Sequence, residues 1–474
     1  WAFLAFLVQT LISNPYVGLF IMIVLLIGIP LLGLAGIEQS IFKYNQGAGR
    51  SYSDMNGYGA TLNLYFIYKF YWLCLGIVFY IITALFYVRG LPNNFKEKLI
   101  IAKSRFNGKY PFFISIFTII FISIGGYIYY TNNILNDRTS SKEREIETVE
   151  WEKKYKKYEN YNQPRIVSVN VDVNIFPDSR DVNSSGEYIM INKTTEPIDS
   201  IFLDHNSALS TFKFDKENSL VSEDTLYNFD IYKLKKPLFT GDTLKLSFTV
   251  KNKPNTLLRN NSSVIYNGTF LNSSLFPSLG YSGGELTDDK TREKYDLPPN
   301  KLKPHPSDST ALGNTYIAKD ADWIDFEATV STSKDQIAIA PGYLQKEWIE
   351  GDRRYFHYKM DSKILNFYAF NSAKYEVVQD KWNDVNLEIY YHKDHDYNLD
   401  RMMKGMKAAL DYCTENFSPY QHKQLRIIEF PKTAGGFAQS FPNTIPFSES
   451  VGFIADVDDS EEGGNDYAFF ITVH

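Results

Sequence analysis

Residues 165–175 read RIVSVNVDVNI, from Arg165 to Ile175. Apolar and polar side chains alternate along them. Successive side chains of a strand point to opposite faces, so a period of two describes a strand with one buried and one wet face. Pro177-Asp178 reads as a turn, and Gly186 leads into a second strand over Glu187–Asn192. The pattern returns at Leu244–Val250 (after Thr240-Gly241-Asp242), Trp323–Val330, Gln336–Ala340 and Tyr355–Lys359. Short strands separated by Gly, Pro, Asn and Asp predict an antiparallel sandwich or saddle, with more than enough chain to bury a core. The stretch Leu275–Leu286 (LFPSLGYSGGEL) interrupts the rhythm. It reads equally as the lining of a substrate cleft or as a loop tucked onto the sheet.

Toward the N-terminus the solvent changes. Residues 132–160 are dense in Lys and Glu and read as a solvated, helical stalk. Before them lie three runs long enough for a bilayer, at Tyr16–Ile37, Phe70–Val88 and Tyr110–Tyr130. Trp1–Ile12 reads as the end of a further helix. Residues 1–131 carry 9 basic and 3 acidic side chains, net +6. The remainder carries 49 − 9 = 40 basic and 55 − 3 = 52 acidic, net −12. An acidic soluble part repels phosphates, which argues against a nucleic-acid partner. The loop from Arg89 to Lys109 holds six basic residues against Glu97 alone. Basic loops stay in the cytoplasm, so the chain after residue 131 is expected outside it. No mid-span Asp, Glu or His suggests a proton relay, and no phosphate-binding loop is present.

Beyond Tyr391 the period becomes helical. Leu399, Met402, Met403, Met406, Ala409, Leu410, Cys413 and Phe417 fall at spacings near 3 and 4. Pro419 closes that helix, Leu425–Phe430 reads as a strand, and Gly435-Gly436 as a turn. An α/β-type domain is therefore expected from about residue 395. Cys74 and Cys413 form no disulfide framework and read as buried small hydrophobes. His392 and His395 approach a metal-ligand spacing, but Lys393 and Asp394 between them suggest a solvated turn. The run Tyr467–His474 (YAFFITVH) is apolar and ends in histidine. With Trp1 and His474 both in apolar runs, the chain is expected to be an internal piece of a longer protein.

At this point the sequence resembles a known family, the M1-type (gluzincin) metallopeptidases, in particular their bacterial fusions to an ABC-2-like permease. Arg165–Asn192 and Lys233–Val250 are similar to the β-saddle of that family. Phe276–Leu286 with Arg292, Asp322–Gly342 and Arg353–Tyr375 are similar to the permease-fused branch. Ala409–Phe430 resembles the opening helix and strand of the peptidase domain, and Tyr467–His474 the lead-in to its zinc helix.

The resemblance implies an α-helical transmembrane bundle over 1–131, a charged linker over 132–163, an all-β saddle or sandwich over 164–394 and the truncated start of an α/β-type zincin domain over 395–474. It implies a multi-pass protein of the bacterial cytoplasmic membrane with a periplasmic peptidase part. Implied partners are a peptide substrate, a separate ABC ATPase subunit and the lipid bilayer. His474 would be the first zinc ligand of H-E-x-x-H, the other catalytic and ligand residues following it, so the chain alone is expected to be inactive. Gly436, Phe437, Ala438, Gln439 and Ser440 match the family's G-A-M-E-N strand, with Gln439 where a Glu holds the substrate's α-amine. A neutral amide accepts a hydrogen bond from an ammonium but does not offset its charge. A transporter subunit whose peptidase-like domain only binds or gates cargo stays open as the alternative, as does an anchored β-domain.

Overall fold

The strand read from the period of two runs from Arg165 to Phe176 in the computed structural model. The model describes residues 1–88, 95–136, 138–205, 209–253, 262–281, 283–300, 304–305, 307–309, 322–458 and 465–474. Val169, Val171, Val173 and Ile175 point into the core from one face of that strand, each contributing roughly 1.5–3 kcal/mol of burial. Its hairpin partner, Asp181–Ile191, lies antiparallel across a turn in which Arg180 adopts a positive φ of 59°. On its other side lies Trp323–Ser333, in parallel, with Ser168 opposite Asp325. Strands at 243–252 and 353–359 extend the sheet antiparallel. The expected saddle is thus a mixed sheet, because a strand some 150 residues away pairs parallel with the first. Three further sheets accompany it among the described residues.

Two compact units divide the chain: residues 1–51 and 58–140 belong to one, while Tyr52–Gly57 belongs with the β-rich remainder. The first unit is helical. Its helices are α1 (Ala2–Leu11), α2 (Pro15–Leu31), α3 (Thr61–Phe86), α4 (Phe95–Arg105) and α5 (Lys109–Tyr130). Asn14 caps α2 by accepting from the amides of Tyr16 and Val17. Among the described residues two helices are long and apolar enough to cross a bilayer, Thr61–Phe86 and Lys109–Leu135. The expected span Tyr16–Ile37 is instead a helix of 17 residues, about 25 Å long at 1.5 Å per residue. It contains Pro30 and unwinds after Leu31 into turns that end at Gly36, where φ is 86°.

The basic loop has a local use as well. Lys98 donates to the carbonyls of Thr10 and Leu11 at the end of α1, and Arg105 to that of Tyr87 at 2.5 Å at the end of α3. Cations at helix C-termini offset the helix dipole and its unpaired carbonyls. Arg89 lies outside the described residues.

In the β-rich unit the charged run folds as α6 (Ser141–Tyr155), but only one face of it is wet. Trp151 and Tyr155 pack into an aromatic cluster with Phe202, Phe229 and Tyr281. Glu152 is buried against Arg292 of α7 (Asp289–Lys294) in a bidentate pair at 2.7 and 2.9 Å. Leu275–Leu286 is a tucked loop in the part described. Tyr281 is buried and stacks on Trp151 with centroids 5.6 Å apart, and the Gly283 carbonyl accepts from the Trp151 indole.

The last layer is a four-stranded sheet. Glu376–Trp382 and Val385–Tyr391 form an antiparallel hairpin. Val385–Tyr391, Gln424–Phe430 and Thr444–Ser448 then run parallel to one another. Helix α8 (Leu399–Asn416) crosses between the first two of these parallel strands and buries Leu399, Met402, Met403, Met406 and Leu410. The apolar face stops there. Cys413 and Phe417, expected on it, are exposed. They line a surface groove together with Tyr420 and His422 instead of packing under a strand. Cys74 is buried, as expected.

Candidate functional site

Three parallel strands end side by side, and polar groups collect just beyond their C-terminal ends. In open α/β sheets that edge is where ligands bind, since the strands stop there and their connecting loops diverge. His392 and His395 follow the strand Val385–Tyr391. Glu429 occupies the penultimate position of Gln424–Phe430. Glu449 directly follows Thr444–Ser448. The segment Tyr52–Gly57 closes over this edge, held by a bridge between Ser53 and Gly57.

His395 Nδ1 lies 2.5 Å from Glu429 Oε1, and the second oxygen of Glu429 accepts from the His392 amide at 2.5 Å. On the far side of the ring, His395 Nε2 is 3.5 Å from Asp54 Oδ2. Glu449 Oε2 accepts from Ser53 Oγ at 3.1 Å and from the Met55 amide at 3.3 Å. Its Oε1 accepts from the Lys432 amide at 3.2 Å. One donor atom from each of His395, Glu429 and Glu449 lies within 4.8 Å of the other two. His395 is 3% exposed, and both glutamates are fully covered.

Burial dominates the electrostatics. It pushes the Glu429 carboxyl up, against the opposing pull of His395. For His395, burial disfavours the charge, yet the hydrogen bond to Glu429 and the charges of Glu429, Glu449 and Asp54 outweigh it and raise the pKa. His392 goes the other way: burial and the neighbouring His395 both lower it. Asn398 ties the same loop down, its amide donating to the carbonyls of Gly452, Phe453 and Ala455.

The expectation of a solvated turn at His392 and His395 is therefore corrected. His395 is buried because Glu429, Glu449 and Tyr52–Gly57 converge on it from three distant parts of the chain. A weak sequence signal existed. In LRIIEF and IPFSE a glutamate stands at the end of an apolar run, where an unpaired charge would be costly to bury.

The segment Gly436–Ser440 lies on the other flank of the same sheet. Gly435 turns the chain with φ 140°, and the Phe437 ring packs against Phe430 with centroids 5.0 Å apart. Ala438 pairs antiparallel with Phe447, and the Gln439 amide donates to the Pro446 carbonyl at 3.1 Å. Asn443, with φ 49°, makes the return turn. His474 follows α9 (Tyr467–Val473), and its amide donates to the Phe470 carbonyl at 3.1 Å, continuing the helical ladder. Helix α9 approaches α8 closely at Gly405, where an added Cβ would stand 3.0 Å from Thr472. His474 is exposed and does not belong to the His395 cluster.

No known protein-family model matches the chain, and no curated protein matches it. Among solved structures, the M1 zinc metallopeptidase of Deinococcus radiodurans is similar, with a TM-score of 0.40 and 12% identity over 61% of this chain and 61% of that one. A mutant of the same enzyme gives 0.40 and 12% over 60% of each chain. The mutant bound to a Tyr-Ser-Ala substrate gives 0.39 and 12% over 61% of each. The chain thus spans about 60% of the length of those solved structures.

Proposed function

We propose that this chain is part of a membrane-anchored, M1-like zinc metallopeptidase fused to an ABC-2-like permease. In this reading residues 1–131 are the permease end, 132–163 a linker, 164–394 the β-domain and 395–474 the beginning of the catalytic domain. The helices α3 and α5 sit in the bacterial cytoplasmic membrane, the chain after 131 lies in the periplasm, and a separate ATPase subunit drives the permease. Peptides are the proposed substrate.

The observation that carries this reading is the helical backbone through His474. In an H-E-x-x-H pattern starting there, the second histidine would fall four residues on and on the same helix face, as two imidazoles on one metal require. Zinc with three protein ligands polarises a carbonyl and activates water. His474 is one donor, and among the described residues it belongs to no group of three metal-ligating side chains.

The test is to extend the chain through the residues encoded after His474 and to measure zinc and peptide hydrolysis. The expected results are a glutamate directly after His474, a second histidine three residues beyond it, about one additional zinc and zinc-dependent hydrolysis. An extension that lacks the motif and gains no zinc overturns the peptidase reading. It would favour the second one, a permease subunit whose outer domain binds or gates cargo, for which Gln439 in place of an amine-anchoring carboxylate is the supporting observation.

A further inference from the structure

We propose that His395, Glu429 and Glu449 form a binding site for one divalent cation of the zinc type, separate from the set to which His474 belongs, and that the cation fastens Tyr52–Gly57 onto the parallel sheet. The donor set is one imidazole and two carboxylates with their atoms within 4.8 Å of one another. A tetrahedral shell at about 2.0–2.1 Å wants donors about 3.4 Å apart. The Nδ1–Oε1 contact of 2.5 Å must open slightly and the wider separation close, which turns of the two glutamate side chains achieve.

Charge is the second argument. Two fully covered carboxylates face one another, with Asp54 adding a third negative group. Against them stand the Lys432 ammonium, 3.9 Å from Glu449, and whatever proton His395 carries. Buried charges are paired or coordinate metals, and here the acids outnumber the fixed cations. The cation takes the place of the hydrogen bond between His395 Nδ1 and Glu429 Oε1. Any proton on these donors leaves to solvent as the metal binds, so uptake weakens in acid.

Each donor is also held from behind. Asp54 stands at the ring nitrogen opposite the metal side, which fixes the orientation and tautomer of a ligating imidazole. Ser53, Met55 and Lys432 orient Glu449, and the His392 amide orients Glu429. The His392 ring lies beside that of His395, with centroids 5.0 Å apart, but His392 is outside the donor set, and its Nδ1 lies 3.9 Å from Asp394. An imidazole with carboxylates suits zinc or manganese, whereas magnesium and calcium prefer oxygen alone.

The experiment uses the 474-residue chain in detergent micelles, stripped with a chelator and titrated with Zn²⁺ alone by calorimetry, with metal content read by mass spectrometry. About one zinc per chain is expected. H395A, E429Q and E449Q should each weaken uptake at least tenfold, D54N less, and H474A not at all. X-ray absorption should show nitrogen and oxygen neighbours with imidazole scattering and no sulfur. If E429Q misfolds by circular dichroism, E449Q carries the test, since the single amide oxygen it introduces still accepts from the Ser53 hydroxyl and the Met55 amide, and only the bond from the Lys432 amide is lost. No retained zinc overturns the proposal, as does uptake that survives E449Q and H395A. Uptake lost with H474A instead also overturns it, while leaving the peptidase reading intact.

Discussion

Glu152 with Arg292 and His395 with Glu429 and Glu449 are both buried ionic clusters of the β-rich unit, and they differ in charge balance. Arg292 is fully covered, donates both terminal nitrogens to Glu152, and gives its Nε proton to the Pro298 carbonyl at 2.6 Å. Lys156, at 2.8 Å, completes the neutralisation by bridging Glu152 and Glu285. The cluster is closed, and it fastens α6 to α7 and its flanking loops. Around His395 the acids exceed the fixed cations, and the groups sit at strand ends rather than inside a packing interface. A balanced buried pair explains itself as architecture; a surplus of buried acid calls for a proton or a metal.

Breaking the closed cluster should give the largest effect. R292A leaves the buried Glu152 with Lys156 alone and should cost up to about 3–5 kcal/mol, read as a lower denaturant midpoint of tryptophan fluorescence. The double variant E152M/R292M removes both charges and should recover most of that loss. The open cluster should respond to metal instead. Saturating Zn²⁺ at about 100 times its Kd should stabilise the chain by about 2.7 kcal/mol, seen as a raised Tm that E449Q abolishes. Without metal, E449Q should change stability by less than about 1 kcal/mol, because it relieves like-charge repulsion while keeping an acceptor.

Acid should separate the two clusters further. Burial opposes the charge on Glu152 and on Asp224, the last residue of the strand Asn218–Asp224, which accepts from Lys154 and Tyr155 of α6. Hydrogen bonds from Arg292 and Lys156, and from Lys154 and Tyr155, outweigh it and hold both carboxyls below their ordinary values. A depressed folded pKa stabilises above the unfolded value, about 4.3 for Glu and 3.9 for Asp, and that stability is lost as pH falls through the folded value. Acid titration of the wild type should show this loss below about pH 4, and E152M/R292M should remove the share of Glu152 while leaving that of Asp224.

Much of the fold was readable from local pattern. Arg165–Ile175 became a strand to Phe176, Trp323–Val330 one to Ser333, and Leu425–Phe430 one from Gln424. These succeed because periods of 2 and 3.6 report which side of an element is buried. Less of the candidate site was readable. His395 looked solvated because Lys393 and Asp394 flank it, and the wet face of α6 hid Glu152 and Trp151 among identical charges.

The sequence by itself determined the local character of each part: apolar helices in the first 131 residues, alternating strands after 165, a helix-and-strand layer after 395. Only the tertiary structure decided that Trp323–Ser333 lies parallel beside Arg165–Phe176, that Arg292 meets Glu152, and that Ser53, His395, Glu429 and Glu449 share one edge. The reason is range. Periodicity records the environment of a side chain, whereas the identity of its partner depends on contacts made across 140 to nearly 400 residues of chain.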